Sequence, residues 1–291
     1  MPRQRATPTV RHRRLAAELR RLRETAGLTQ EDVSERTGKD RSTLYRLENA
    51  QQLPQRSTLI QLLDLYGTSP DPRADLLVLL REAGRRGWMQ PHRSDLPAVY
   101  SDYISFESEA RTVSNYESLF IPGLLQTEDY VRAVIAGTLP HATTAEVETR
   151  VTARMERQAL LTRDSPPQLW AIMDEAAARR LVGGPSVMAA QLARLADAAA
   201  LPHVTVQVIP YAAGAHPGMP GSFIVLEFPD PADQGLVYLD SMAGDLFLDY
   251  DQEIRRYILM FEHLRAAALR PGQSTALLAE IARQQGKGET R

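Results

Sequence analysis

Arg41, Ser42, Tyr45, Arg46 and Asn49 stand at i, i+1, i+4, i+5 and i+8. On a helix these offsets share one face. Two of the five are arginines, whose planar fork matches the O6 and N7 edge of guanine in a major groove. Ser42 and Tyr45 add hydroxyls that both donate and accept, and Asn49 adds an amide. Recognition of base edges is the chemistry such a face can do. Leu44 and Leu47 supply the opposite, apolar stripe by which the helix would be held. Upstream, Thr29 reads as the N-cap of a shorter helix, and Gln30 can donate from its side chain. The first N–H groups of a helix favour an anion, so Thr29 and Gln30 suit a phosphate.

Elsewhere the reactive residue types do not assemble. Asp174 and Glu175 are adjacent, so on a helix they splay about 100° apart. Glu175 reads better as a cap or as charge in a first helical turn. His203, His216 and His263 form no short-range ligand set, and no HExxH is present. Ser186 in "GGPS" lacks a GxSxG elbow and reads as a turn with an N-cap. No glycine loop runs into Lys-Ser or Lys-Thr. Catalysis, a metal and a cofactor are therefore not expected. Arg154, Arg157 and Gln158 share a helix face, which suits either an anionic ligand or, more simply, an internal ion pair or a solvated face. "AGAHPGMPG" (Ala213–Gly221) joins two expected strands and is either a connector or a lid. Connector is the plainer reading. As a lid, its pocket rim would be Tyr211, His216 and Phe223.

The elements that position these residues follow from period and punctuation. Leu15, Leu19 and Leu22 predict a helix from Val10 to Ala26, stopped by Gly27. Thr29 caps the second helix with Asp32 three residues on, where a capping box ordinarily has Glu or Gln. Gly38 ends that helix, and Asp40 is expected to cap the third. A fourth helix spans Arg56 to Tyr66, and a fifth runs from Arg73 to about Ala83. Next comes a stretch rich in Gly, Pro and Arg, Gly84–Pro97, which predicts a domain boundary. Beyond it the pattern mixes periods. Helices are expected at about 98–110, 127–136, 145–162, 175–182, 187–200, 251–268 and 273–285. "QLWAIMD", "VTVQVIP", "GSFIVLEF" and "GLVYLD" read as strands, and Ser118 opens a further strand-like stretch. The fold class is thus a five-helix N-terminal domain over 1–88, followed by a larger α+β, or mixed α/β, domain over 98–291.

Charge agrees with this division. Residues 1–88 hold 17 Lys+Arg and 11 Asp+Glu, a net of +6, and the remainder hold 17 and 25, a net of −8. The formal total of −2 therefore hides a basic head, the side on which a nucleic-acid contact is expected. Arg3 and Arg5 extend it as an arm suited to a minor groove or as a loose tail. With no cysteine in 291 residues, no disulfide framework or thiolate site can be built. "MPRQRATPTVRHRR" has no apolar h-region, and no stretch reaches about 18 apolar residues, so a cytoplasmic location is expected.

"GLTQEDVSERTGKDRSTLYRLENA" resembles the Xre/Cro-type helix-turn-helix family over about residues 10–68. The likeness lies in Gly27-Leu28-Thr29-Gln30, the Gly38 turn and Leu44-Tyr45-Arg46-Leu47-Glu48-Asn49. It implies that Gln30 and Asn49 hold phosphates and that Arg41, Ser42, Tyr45 and Arg46 read bases. It also implies a structural ion pair between Arg23 and Glu48. Asp40 departs from the family's usual Ser or Thr; Asp caps well but repels phosphate. "SLFIPGLLQTEDYVRAVI", "RMERQALL", "DEAAARRLVGG" and "VTVQVIPYAAGAHPGMPGSFIVLEF" are similar to the large domain of unknown function behind such heads in actinobacterial WhiJ-like regulators. That likeness covers roughly residues 104–270. It implies a transcriptional regulator, often paired with a small protein encoded nearby in an antitoxin-like arrangement.

Three functions follow as expectations. One is a sequence-specific DNA-binding regulator, a homodimer whose second domain senses a partner protein or a small-molecule effector. Another is an antitoxin-like protein acting mainly by binding a small neighbouring partner. An enzyme brought to DNA by its head is the third, and the missing nucleophile, metal set and cofactor loop stand against it.

Overall fold

The computed structural model describes residues 10–83, 98–230, 233, 235–240 and 244–286. Arg3, Arg5 and the Gly84–Pro97 boundary lie outside the described residues. Two compact units divide the chain, Met1–Gln90 and Pro91–Arg291.

The first unit is helical: α1 (Val10–Thr25), α2 (Gln30–Thr37), α3 (Arg41–Glu48), α4 (Arg56–Leu65) and α5 (Pro70–Ala83). Each helix is too short to persist alone and is held by its apolar stripe. Leu15 and Leu19 of α1, Val33 of α2, Leu44 and Leu47 of α3, and Leu59, Leu62 and Leu63 of α4 close one core, with Leu76 and Leu79 of α5. Gly38 ends α2 in the left-handed region at φ 67°, where a side chain would clash with its own backbone. The fifth helix begins earlier than its leucines indicate, at Pro70. Proline's fixed φ and missing N–H suit a first turn, so "PDP" is helix rather than loop.

The second unit is an α/β layer structure. It contains α6 (Ala98–Glu109), β1 (Thr112–Glu117), α7 (Glu128–Thr138), α8 (Thr144–Arg157), β2 (Gln168–Asp174) and α9 (Glu175–Arg179). It continues with α10 (Pro185–Ala199), β3 (Val204–Ile209), β4 (Phe223–Glu227), β5 (Leu236–Leu239), β6 (Leu246–Leu248), α11 (Asp251–Ala267) and α12 (Pro271–Gly286). The strands form one mixed sheet, β3-β2-β1-β4-β5-β6. β1, β2 and β3 are parallel. β4, β5 and β6 continue antiparallel from β1. The expected α+β or mixed α/β class is what the chain adopts.

Two strands escape the sequence pattern. β1, "TVSNYE", lies at the centre of the sheet and ends just before Ser118, the expected start. Buried parallel strands usually read as apolar runs; this one alternates with polar residues that find partners in place, Asn115 Nδ2 donating to Glu117 Oε1 at 3.3 Å. β6 is three residues long, below what periodicity can signal. Ser186 does not cap: Gly184 is the N-cap of α10 and Pro185 its first residue.

One sheet face packs Ile172, Ile209, Phe223, Val225 and Val237 against Ile254, Phe261 and Leu264 of α11. Against the other lies α6, its Tyr103 stacked on Tyr238 at 4.2 Å and its Phe106 edge-on to Phe247 at 5.4 Å. The free edge of β3 is covered where α12 begins. Leu269 N–H donates to Val208 O (2.9 Å) and Val208 N–H donates to Ser274 Oγ (3.0 Å), which removes an edge that would otherwise template pairing.

Candidate nucleic-acid interface

Burial of Leu44 and Leu47 turns the other side of α3 outward. Arg41, Ser42 and Asn49 are exposed, Tyr45 is 52% exposed, and Arg46 is half-buried. An exposed tyrosine ring flanked by arginines is a surface suited to groove edges. Arg41 Nη1 lies 3.5 Å from Glu31 Oε2, with both side chains open to solvent, so the pair holds Arg41 only loosely. Arg46 donates from Nη2 to Thr43 Oγ1 at 3.0 Å, which lays its guanidinium along its own helix.

The expected phosphate residues are engaged within the chain. Thr29 forms a complete capping box with Asp32: its Oγ1 accepts from Asp32 N at 3.1 Å, and its own N–H donates to Asp32 Oδ2 at 2.8 Å. Asp32 therefore does what Glu or Gln ordinarily does, and the hydroxyl and N–H of Thr29 hold its carboxyl below the usual range. Gln30 Nε2 donates to Glu48 Oε2 at 2.8 Å. Asn49 Nδ2 donates to Tyr45 O at 2.8 Å, and its Oδ1 accepts from Arg20 Nη2 at 2.9 Å. A phosphate at these side chains has to exchange for those bonds. Asp40 holds the N-cap position of α3 without a side-chain cap bond.

Glu48 is the hub of this arrangement. Only 4% exposed, its carboxylate accepts from Arg23 Nε at 2.6 Å and Nη2 at 3.1 Å, and from Gln30. Arg23 also donates from Nη1 to Leu28 O at 2.8 Å. Arg20 adds a bond to Glu48 O at 2.7 Å. α1, the start of α2 and the end of α3 are thus tied through one carboxylate, a network stronger than an isolated surface pair. The bond to Glu48 raises the Arg23 pKa. Tyr66 is pushed up by burial and by the Glu48 charge. Sequence reasoning missed Arg20; its i, i+3 spacing from Arg23 was the available signal.

The residues singled out in the second unit do not form one rim. Tyr211 is exposed, and its backbone N–H donates to Glu175 Oε2 at 2.8 Å. The His216 side chain is buried, its Nε2 3.3 Å from Asp174 Oδ2 and its ring 6.1 Å from Tyr116. Phe223 is a core residue, not a rim residue, because it begins β4 on the face covered by α11. Gly218 sits so close to the Tyr116 ring that a Cβ there would come within 2.4 Å. The Ala213–Gly221 loop is therefore packed against the sheet at Tyr116.

Asp174, rather than Glu175, caps α9, accepting from Ala176 N at 2.8 Å. Glu175 is buried and pairs with Arg179 at 2.6 Å. Arg157 of the Arg154–Arg157–Gln158 stripe is internally paired. Its Nε lies 2.8 Å from Glu107 Oε2, both side chains are buried, Tyr103 hydrogen-bonds the same carboxyl, and Arg157 Nη1 donates to Tyr100 Oη at 2.9 Å. Burial pushes the Glu107 carboxyl up. Gln158 donates to Gln126 O at 2.6 Å. Among the described residues no group of three or more His, Asp or Glu side chains is placed to hold a metal, and no helix is long and apolar enough to cross a membrane.

Residues 14–76 match a family model described as a helix-turn-helix domain. Residues 100–280 match one described as a domain of unknown function, DUF5753. No curated protein and no solved structure matches the chain. The second match spans more than half of the sequence and takes in the whole mixed sheet, so the chain belongs to the DUF5753 family and carries a helix-turn-helix domain ahead of that domain.

Proposed function

We propose that this protein is a sequence-specific DNA-binding transcriptional regulator of the Xre/Cro type, WhiJ-like in organisation. One observation carries the reading: the outward face of α3 presents Arg41, Ser42, Tyr45 and half of Arg46, while Glu48 holds the three helices of the motif from behind. Base edges are read by Arg41, Ser42, Tyr45 and Arg46. Thr29, Gln30 and Asn49 serve the phosphates once their internal bonds exchange. A single head offers few contacts, and such heads bind paired half-sites about one helical turn apart. The protein therefore acts as a homodimer in the cytoplasm. Its second domain, over 98–291, dimerises and takes a signal from a small partner protein or a small-molecule effector. No catalytic step belongs to this reading.

Fluorescence anisotropy of the whole chain on DNA from its own upstream region, with a salt titration, tests it. Binding is expected to weaken steeply with salt. Arg41→Ala and Arg46→Ala are each expected to remove about 1–3 kcal/mol of discrimination, so the double variant binds its operator no better than random DNA. Wild-type protein that shows no DNA binding at all overturns the proposal.

A further inference from the structure

α11 is amphipathic, and among the described residues only one of its faces packs against the sheet. Ile254, Tyr257, Phe261 and Leu264 point to the sheet. The opposite stripe is Gln252, Arg255, Arg256, Leu259, Glu262, His263 and Ala266, one side of a 3.6-residue helix. Leu259, at its centre, is 59% exposed, and Ile258 beside it is also exposed. Tyr250 and Leu246, just before the helix, are exposed as well, Tyr250 at 66%. Among the described residues eleven large apolar side chains are exposed, and four fall within 246–259. Leu259 is the apolar centre of the outward stripe.

The charges on this stripe are self-complementary. A two-fold axis at Leu259, with two α11 helices packed antiparallel, brings each residue level with its mirror number, and side chains on the same flank of the seam meet. Leu259 then meets the second copy's Leu259. Arg255 and Glu262 lie on the same flank of the stripe, so Arg255 meets the second copy's Glu262 and Glu262 meets its Arg255. Arg256 lies on the other flank beside the second copy's His263, and Gln252 faces Ala266. Parallel packing would instead bring Arg256 beside the second copy's Arg255. Existing engagements leave the stripe available: Glu262 pairs with Arg265 of its own helix at 2.6 Å but stays half-exposed, and Arg255 sits 3.8 Å from Asp251.

We propose that the outward face of α11 is the contact between two copies of this chain, antiparallel about Leu259. The proposal rests on the homodimer reading above and names its surface. An isologous contact needs a self-complementary patch, which this stripe provides. A helix of 17 residues is about 25 Å long. One such pair buries less than the about 800 Å² per partner of a standard interface, so the dimer is expected to dissociate on dilution.

Sedimentation velocity of the whole chain from about 1 μM to about 200 μM, a range bracketing a weak dimer, tests both layers. Wild type is expected to shift from monomer to dimer mass. Leu259→Arg is expected to weaken association at least about tenfold, with an unchanged circular dichroism spectrum because the position is exposed. Arg255→Glu and Glu262→Arg are each expected to weaken it, and the double reversal R255E/E262R to restore it, since each new glutamate again faces a new arginine. A wild-type chain that stays monomeric throughout overturns the homodimer reading itself. A wild-type dimer untouched by L259R and by both single reversals overturns this surface and leaves the homodimer standing. Single reversals that weaken association without rescue in the double variant overturn the antiparallel register.

Discussion

Glu48 concentrates the energetics of the helix-turn-helix at one residue. Its buried carboxylate takes hydrogen bonds from Arg23 and Gln30, and the Arg23 side chain opposite is itself only 11% exposed. Truncating one partner of a buried pair leaves the other charge without compensation. Glu48→Ala is therefore expected to destabilise the chain by about 3–5 kcal/mol in a denaturant melt. Glu48→Gln, which keeps an acceptor, is expected to lose less. Equal losses in the two variants would mean that packing, not the ion pair, makes Glu48 important. Of this network, Arg23–Glu48 was legible only through family resemblance. Arg20 and Gln30 against Glu48 were not legible, because these contacts join residues 28 and 18 positions apart and depend on how helices cross.

Element ends decide how α3 is presented. After Asn49 the chain turns at Ala50, which takes φ 51°. That left-handed conformation costs an L-residue about 1–2 kcal/mol, while glycine adopts it freely. Ala50→Gly is expected to raise stability by about 0.5–1 kcal/mol, the relief being partly offset by the greater chain entropy of unfolded glycine. A thermal melt showing Ala50→Gly less stable than wild type would mean that the methyl of this buried residue contributes more than the strain removes. The elements themselves were largely readable. α1, α3 and α4 follow leucine spacing, α2 follows its cap and its closing glycine, and Thr127 and Thr143 stand at the starts of α7 and α8, accepting from Tyr130 N and Glu146 N. β1 was not readable, because its neighbours rather than its own alternation make it a strand.

At the scale of the whole molecule, charge and protonation set the behaviour. A net +6 over residues 1–88 against −8 over the rest allows a near-neutral chain to meet a polyanion with one end. In the sheet domain the Glu117 carboxyl is pushed up to about 7, first by burial and further by Asp240. Its ordinary value is 4.5. The folded state therefore binds more protons than the unfolded state between about pH 4.5 and 7, and the sign of linkage follows: stability from this group is present below about 4.5 and is lost as pH rises through 7. Glu107 and Asp245 are shifted in the same direction, each first by burial. Glu117→Gln is expected to be more stable than wild type at pH 8, by of the order of 2 kcal/mol, and to converge with it near pH 4.5. Urea midpoints across that range check the difference; a gap that does not change with pH would remove Glu117 from the titration.

Local information was enough for the helices, the capping box of α2, the outward face of α3 and the mixed class of the second domain. The reason is that i, i+4 spacing, a capping hydroxyl and a left-handed glycine act within a few residues and are written where they act. Tertiary structure alone decided the partners of polar residues. It made β1 the sheet's centre, turned the Arg157 stripe into a buried pair with Glu107, seated Phe223 in the core and laid Gly218 on Tyr116. A buried charge or amide is satisfied by whatever the fold brings beside it, and that neighbour is set by strand order and helix packing rather than by sequence distance.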